Sequence, residues 1–166
     1  TLPYITIMCN ASLREGSLSV SQKAAIITPI LKKRGLEADD VKSYRPISNL
    51  TFISKVIERI VAVQIKAFLE EFDLMPPMQA AYRAGHSSET AILKVLSDLL
   101  DAVDSQETTL LGLLDMSAAF DTVDFEILLQ RLEVSYRLNG TVLKWLTSFV
   151  TARTQAVVFE GDTSSP

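Results

Sequence analysis

A run that is apolar on both faces, Thr108 to Leu114, ends in a carboxylate at Asp115. Side chains alternate between the two sides of an extended chain, and here both sides are hydrophobic. The segment therefore predicts a strand in the middle of a sheet, covered on at least one face by helices. A carboxylate at its end would lie at the sheet rim, where solvent or a metal ion reaches it without burying a bare charge. Asp121 and Asp124 follow in the same stretch, "LLDMSAAFDTVD". Helix capping is the competing explanation for all three, because an aspartate after a strand commonly caps the next helix. The cap is preferred for Asp124, which directly precedes a helical pattern; spacing alone leaves Asp115 open between the two.

Hydrophobic periodicity supplies the covering elements. Thr51 to Phe72 predicts a long amphipathic helix with Phe52, Ile53, Val56, Ile57, Ile60, Phe68, Leu69 and Phe72 along one face, stopped by the paired prolines of "DLMPPM". Ser88 to Asp104 predicts a second, with Ile92, Val95, Leu96, Leu99 and Val103 apolar against Lys94, Asp98 and Asp101. Leu2 to Leu13 predicts a short helix ending near Gly16. The β-branched "AAIITPIL", Ala24 to Leu31, predicts a strand in which Pro29 marks an edge or a bulge. It should hairpin back through a long loop to Tyr44–Ser48. Asp124 to Leu132 and Thr141 to Val150 predict two further helices, and "TQAVVFEG" a closing strand. The fold class is α+β.

At 166 residues the chain is one ordinary domain, large enough to bury a core. No window approaches a membrane-length apolar run, and "TLPYITIMCN" has no basic region ahead of an apolar stretch, so a soluble, untargeted segment without membrane contact is expected. The lone cysteine, Cys9, excludes an internal disulfide and a multi-cysteine zinc site and is expected in the core. A net charge of −4 argues against a general nucleic-acid coat. Basic residues nevertheless cluster: "LKKRG" and "KSYRP" bracket the acidic "LEADD", as a local positive patch or an ordinary solvated face.

The stretch "LLDMSAAFDTVD" resembles the first catalytic motif of the reverse transcriptases of non-LTR (LINE-type) retrotransposons. "KAAIITPILKK", "SYRPISNLTFISKVIERIV", "QAAYRAGHSSETA" and "LKWLTSFVTARTQAVV" resemble further blocks of that family in the same order. The resemblance implies part of a right-hand polymerase, with helices packed on an incomplete antiparallel sheet: fingers over about residues 1–106 and the start of the palm over about 107–166. It implies an RNA-directed DNA polymerase acting on an RNA template, a DNA primer or target site and deoxynucleoside triphosphates. Two Mg2+ ions would serve the complete enzyme, Mn2+ being an alternative. It implies Asp115 as the catalytic metal ligand, assisted by the Met116 carbonyl, and Phe120 as the ring beneath the incoming sugar that excludes a 2′-hydroxyl. Periodicity alone would read Phe120 as core. Lys32 or Lys33, with Arg45, would meet the triphosphate, the choice of lysine resting on strand register. Arg83, His86 and Ser87 would contact template or brace the fingers. An intracellular ribonucleoprotein, nuclear or cytoplasmic, is the implied setting; host, target site and oligomeric state are not implied.

The chain departs from the family pattern at several places. Ala81-Tyr82 stands for Gly-Phe, Gln22 for Trp, Phe125 for His, and Arg137 for a glycine, a position where positive φ is expected. These suggest a divergent lineage or a decaying copy. The later paired aspartates of the family are not in this sequence, so the segment alone is expected not to polymerise. Alternative readings are an aspartate-based phosphatase, against which the missing small-residue loop counts, and a non-enzymatic helical or RNA-binding relic.

Overall fold

The structure, a computed structural model, describes residues 2–116 and 119–165. Packing divides the chain into two units, Thr1–Lys66 with Asp124–Pro166, and Ala67–Val123. No helix among the described residues is long and apolar enough to cross a membrane.

The first unit is an α+β body. Helix α1 (Leu2–Glu15) ends in the left-handed turn its sequence requires: Gly16 has φ +64°, and the Ser17 N–H reaches back to the Ser12 carbonyl at 3.1 Å, the closing bond of a Schellman motif. Glycine has a second reason here, since an added Cβ would meet the Thr141 carbonyl oxygen at 3.0 Å. Strands β1 (Ala24–Leu31) and β2 (Tyr44–Asn49) form the expected hairpin. Helix α2 (Phe52–Glu71) begins at Thr51, whose hydroxyl accepts the Ser54 N–H at 3.1 Å. Then come α4 (Phe125–Val134), α5 (Gly140–Val150), β3 (Thr154–Phe159) and the short β4 (Asp162–Thr163); α3 (Ser88–Asp104) lies in the second unit.

The sheet order is β2-β1-β3-β4. It is mixed where an antiparallel one was expected: β1 and β3 run parallel, in register from Ala24↔Thr154 to Ile27↔Val157. The long connection between them, which carries helices, is what parallel neighbours need. Pro29 lies opposite Pro46, and the Lys32 N–H bonds the Ser43 carbonyl at 2.9 Å three pairs further on. Because hydrogen-bonded and non-hydrogen-bonded pairs alternate in an antiparallel ladder, the two prolines fall at a non-bonded pair, where neither lacks a donor the partner needs. Pairing with β3 ends at Ile27, so Pro29 occupies a local edge, as anticipated.

The core joins α1, α2 and α5 through Cys9, Leu18, Ile57 and Trp145, with Ile53, Val56 and Phe149 packed around them. The Trp145 indole N–H donates to Ser12 Oγ at 3.0 Å, and its ring stacks on Phe149 with centroids 5.4 Å apart. Cys9 is the buried core residue expected of it. Phe52, by contrast, is largely exposed at the start of α2.

The second unit holds the end of α2 and helix α3 (Ser88–Asp104), whose start is a capping box: Ser87 accepts the Thr90 N–H, and the Thr90 hydroxyl receives the Ser87 N–H at 2.9 Å. The apolar stripe of α3 was expected to cover a sheet, but Ile92, Val95, Leu96 and Val103 are exposed. The strand anticipated over Thr108–Leu114 does not form: the segment has no ladder among the described residues, and Leu110 and Leu114 are 96% and 98% exposed. Alternating apolar residues create a demand for neighbours but do not supply them, and no described segment lies alongside as a partner.

Candidate functional site

The β1–β2 hairpin carries the basic cluster. Its register pairs Ile30 with Arg45 and Leu31 with Tyr44, and the backbone bond from Lys32 to Ser43 extends the ladder one pair further. Opposed residues share a face and successive residues alternate, so Lys32, Ile30 and Arg45 lie on one face. Lys33 lies in the bend beyond the last ladder bond, with no residue paired opposite it. Arg45 is exposed and has no carboxylate partner among the described residues. Lys32 Nζ donates to the Lys42 carbonyl at 2.7 Å, which uses one of three ammonium donors.

The long hairpin loop is tied down by its own polar groups. Asp40 accepts the Lys42 N–H at 2.9 Å, and the Tyr44 hydroxyl donates to the Ala38 carbonyl at 3.0 Å. Tyr44 also meets Phe159 of β3 edge-on, with centroids 5.7 Å apart, so the loop end of the hairpin is braced against the sheet.

The Arg83, His86 and Ser87 loop is internally bonded. Arg83 donates from one guanidinium nitrogen to the carbonyls of Pro76 at 3.2 Å and Pro77 at 3.4 Å. His86 Nδ1 lies 3.0 Å from the Ala84 carbonyl, and Ser87 is the α3 cap. Tyr82, which stands for the aromatic of the family's Gly-Phe pair, has φ +61°.

Asp115, Met116 and Phe120 are all exposed. Phe120 is therefore not the core residue that periodicity alone suggested. Ser117 and Ala118 of the same motif lie outside the described residues. Asp124 does what its position indicated, its carboxylate accepting the N–H groups of Glu126 at 2.9 Å and Ile127 at 3.0 Å at the start of α4. No group of three His, Cys, Asp or Glu side chains gathers to hold a metal among the described residues. The exposed Asp115 carboxylate fits part of a magnesium site, since that ion takes one or two carboxylates and completes its shell with water and phosphate oxygens.

Sequence reasoning missed Lys23, which is 7% exposed and lines a cleft beside α5. Its place immediately before a β-branched strand was the available signal, and it was not enough to distinguish it from a surface lysine.

A family model described as "Reverse transcriptase (RNA-dependent DNA polymerase)" matches residues 30–165. The chain is 36% identical over 162 residues to a probable RNA-directed DNA polymerase from transposon X-element of Drosophila melanogaster, an alignment covering 98% of this chain and 18% of that protein. It is 32% identical over 120 residues to a probable RNA-directed DNA polymerase from transposon BS of Drosophila melanogaster, covering 72% and 13%. It is 30% identical over 164 residues to the RNA-directed DNA polymerase from mobile element jockey of Drosophila funebris, covering 99% and 18%. The chain thus spans less than a fifth of the length of these relatives.

Proposed function

Because this chain belongs to the reverse transcriptase (RNA-dependent DNA polymerase) family, we propose that it forms the triphosphate-binding hairpin and first catalytic motif of a LINE-type RNA-directed DNA polymerase. Residues 1–106 are mainly fingers in this reading and 107–166 begin the palm. The substrates of the longer protein are an RNA template, a DNA primer or target site, and deoxynucleoside triphosphates. The observation that carries the reading is the hairpin register, which sets Lys32 and Arg45 on one face of a braced β-ribbon.

Two cations on one rigid face suit a triphosphate. Arg45 offers a planar fork of donors to phosphate oxygens, and Lys32 a compact charge with donors still free. Held in place before reaction, they stabilise negative charge as it moves onto the leaving pyrophosphate. Reverse transcriptases generally depend on divalent metal; here Asp115 and the Met116 carbonyl would hold magnesium, as one of two ions, Mn2+ being able to replace it. Bound there, the metal supplies Lewis-acid activation of the primer hydroxyl and the phosphate. Phe120 bears on the sugar of the incoming nucleotide and excludes a 2′-hydroxyl. Arg83, His86 and Ser87 shape the loop ahead of α3, through which template contact is organised.

Primer extension on an RNA template by the longer protein tests the hairpin. Arg45→Ala and Lys32→Ala should each raise the nucleotide requirement and slow addition by about 10²-fold, the usual loss for one preorganised donor, while Lys33→Ala stays near wild type. A Lys33→Ala loss with Lys32→Ala unaffected would reverse the face assigned to the triphosphate.

A further inference from the structure

An open cleft of about 590 Å³ runs along one stripe of α5, from Gly140 to Thr151, with Gly16, Ser17 and Lys23 on its other wall. It lies wholly within the first packing unit. Two lysines line it, Lys23 and Lys144, and no carboxylate does. In a chain of net charge −4 a cleft lined by cations alone is set against the average.

Lys23 is the unusual group. The residue is 7% exposed, and its ammonium has no hydrogen-bond or ion-pair partner among the described residues. No buried side-chain nitrogen or oxygen is left unpartnered there either, so the ammonium is the part of the side chain that still opens to solvent, on the cleft wall. A stem buried to hold an unpaired charge at a cleft costs side-chain entropy and desolvation, and no hydrogen bond or ion pair among the described residues offsets it. Lys144 is partly engaged, donating to the Glu15 carbonyl at 3.0 Å, which positions its charge at the end of α1. Ser148, also on the cleft wall, accepts the Leu18 N–H at 3.0 Å. At the head of the stripe, Asn139 makes no side-chain cap, so the positive end of an eleven-residue helix has no side-chain acceptor there, and Gly140 of that end lines the cleft.

We propose that this cleft is a phosphate-binding groove that holds the sugar–phosphate backbone of a nucleic-acid strand, with Lys23 and Lys144 as its charge contacts. Phosphate is the anion that two ammonium groups, a hydroxyl and a helix N-terminus suit together. A backbone is favoured over a free nucleotide because the groove follows a helix for about 16 Å at 1.5 Å per residue. No aromatic side chain lines it, so nothing there stacks on a base. The inference shares with the polymerase reading only the presence of nucleic acid; it uses neither Asp115 nor the hairpin.

Fluorescence anisotropy of a labelled single-stranded RNA with the 166-residue chain, across a salt series, tests it. Lys23→Gln with Lys144→Gln should weaken binding at least tenfold and lower the salt slope by roughly 1.4, about 0.7 for each phosphate no longer neutralised. Lys23→Arg, which keeps the charge on a long stem, should restore most of the Lys23→Gln loss, and unchanged thermal melting separates charge from folding. Absence of RNA binding by the wild-type chain at low salt, or an unchanged slope in the folded double variant, would overturn the proposal. So would competition by millimolar inorganic phosphate as complete as that by unlabelled RNA at equal phosphate, which would mark a free-phosphate site. Wild-type polymerase activity in Arg45→Ala, with lysine-dependent RNA binding as expected, would fail the hairpin reading alone; slowed addition in Arg45→Ala, with RNA binding indifferent to Lys23 and Lys144, would fail the groove alone.

Discussion

Asp115 and Asp124 stand nine positions apart and have different surroundings: one is exposed beyond an apolar run, the other binds two backbone amides at the start of α4. Replacing Asp124 by Ala should cost about 1 kcal/mol of stability in denaturant titration, whereas Asn, which caps nearly as well, should lose only the charge share of roughly 0.3–1 kcal/mol. Equal losses for the two variants would mean that the cap does not depend on the side-chain oxygen. Capping was legible in the sequence because it is a local relation between an aspartate and the next three residues. Arg137 is a second such case: it has φ +55° at the position where glycine was expected. Arg137→Gly should therefore stabilise the chain by up to about 1 kcal/mol, the relief of left-handed strain exceeding the added freedom of the unfolded chain. A destabilised Arg137→Gly would show that the arginine side chain contributes more than its backbone strain removes.

Element boundaries set by local chemistry were readable: the α1 stop at Gly16, strand β1, both hairpin arms, and the helices after Asp124 and Asn139. Helix α2 ends at Glu71, one residue short of the expected Phe72, but the stop is made ahead of the prolines, by Asp73 with φ +49°, where the Leu74 N–H bonds the Leu69 carbonyl at 2.8 Å. Aspartate tolerates this conformation better than most residues, so a Schellman end formed without glycine. What could not be read was pairing. Periodicity gives a segment its faces but not its neighbours, which is why the hydrophobic run before Asp115 reads as a central strand and why the choice between Lys32 and Lys33 needed a register. Helix α3 offers a test by pH. The Ser87 hydroxyl, and then the backbone N–H of Glu89 itself, hold the Glu89 carboxyl below its ordinary value. A depressed pKa means that the folded helix start is favoured above the ordinary carboxylate value and loses that support as pH falls through the lower folded one. Amide exchange at Thr90 and Ala91 should quicken over that window beyond its intrinsic pH dependence, and Glu89→Gln should remove the excess; an unaltered profile in Glu89→Gln would exclude the carboxylate.

On the scale of the molecule, the first unit is a packed α+β body whose core of Cys9, Leu18, Ile57 and Trp145 supports a braced basic hairpin, and the second exposes the apolar run that leads to Asp115. The family was legible from five ordered blocks, and the match over residues 30–165 agrees with them. The catalytic role proposed for Asp115 rests on that resemblance, because an exposed aspartate beyond an apolar segment has no geometry of its own that distinguishes metal binding from capping. The central claim is that Asp115 serves chemistry and not folding. The measurement that meets it most directly is RNA-templated primer extension by the longer protein, with melting temperature recorded on the same samples, for Asp115→Asn beside Asp124→Asn. Asp115→Asn should abolish nucleotide addition with the melting temperature unchanged or slightly raised, while Asp124→Asn extends the primer. Extension by Asp115→Asn at the wild-type rate would contradict the account.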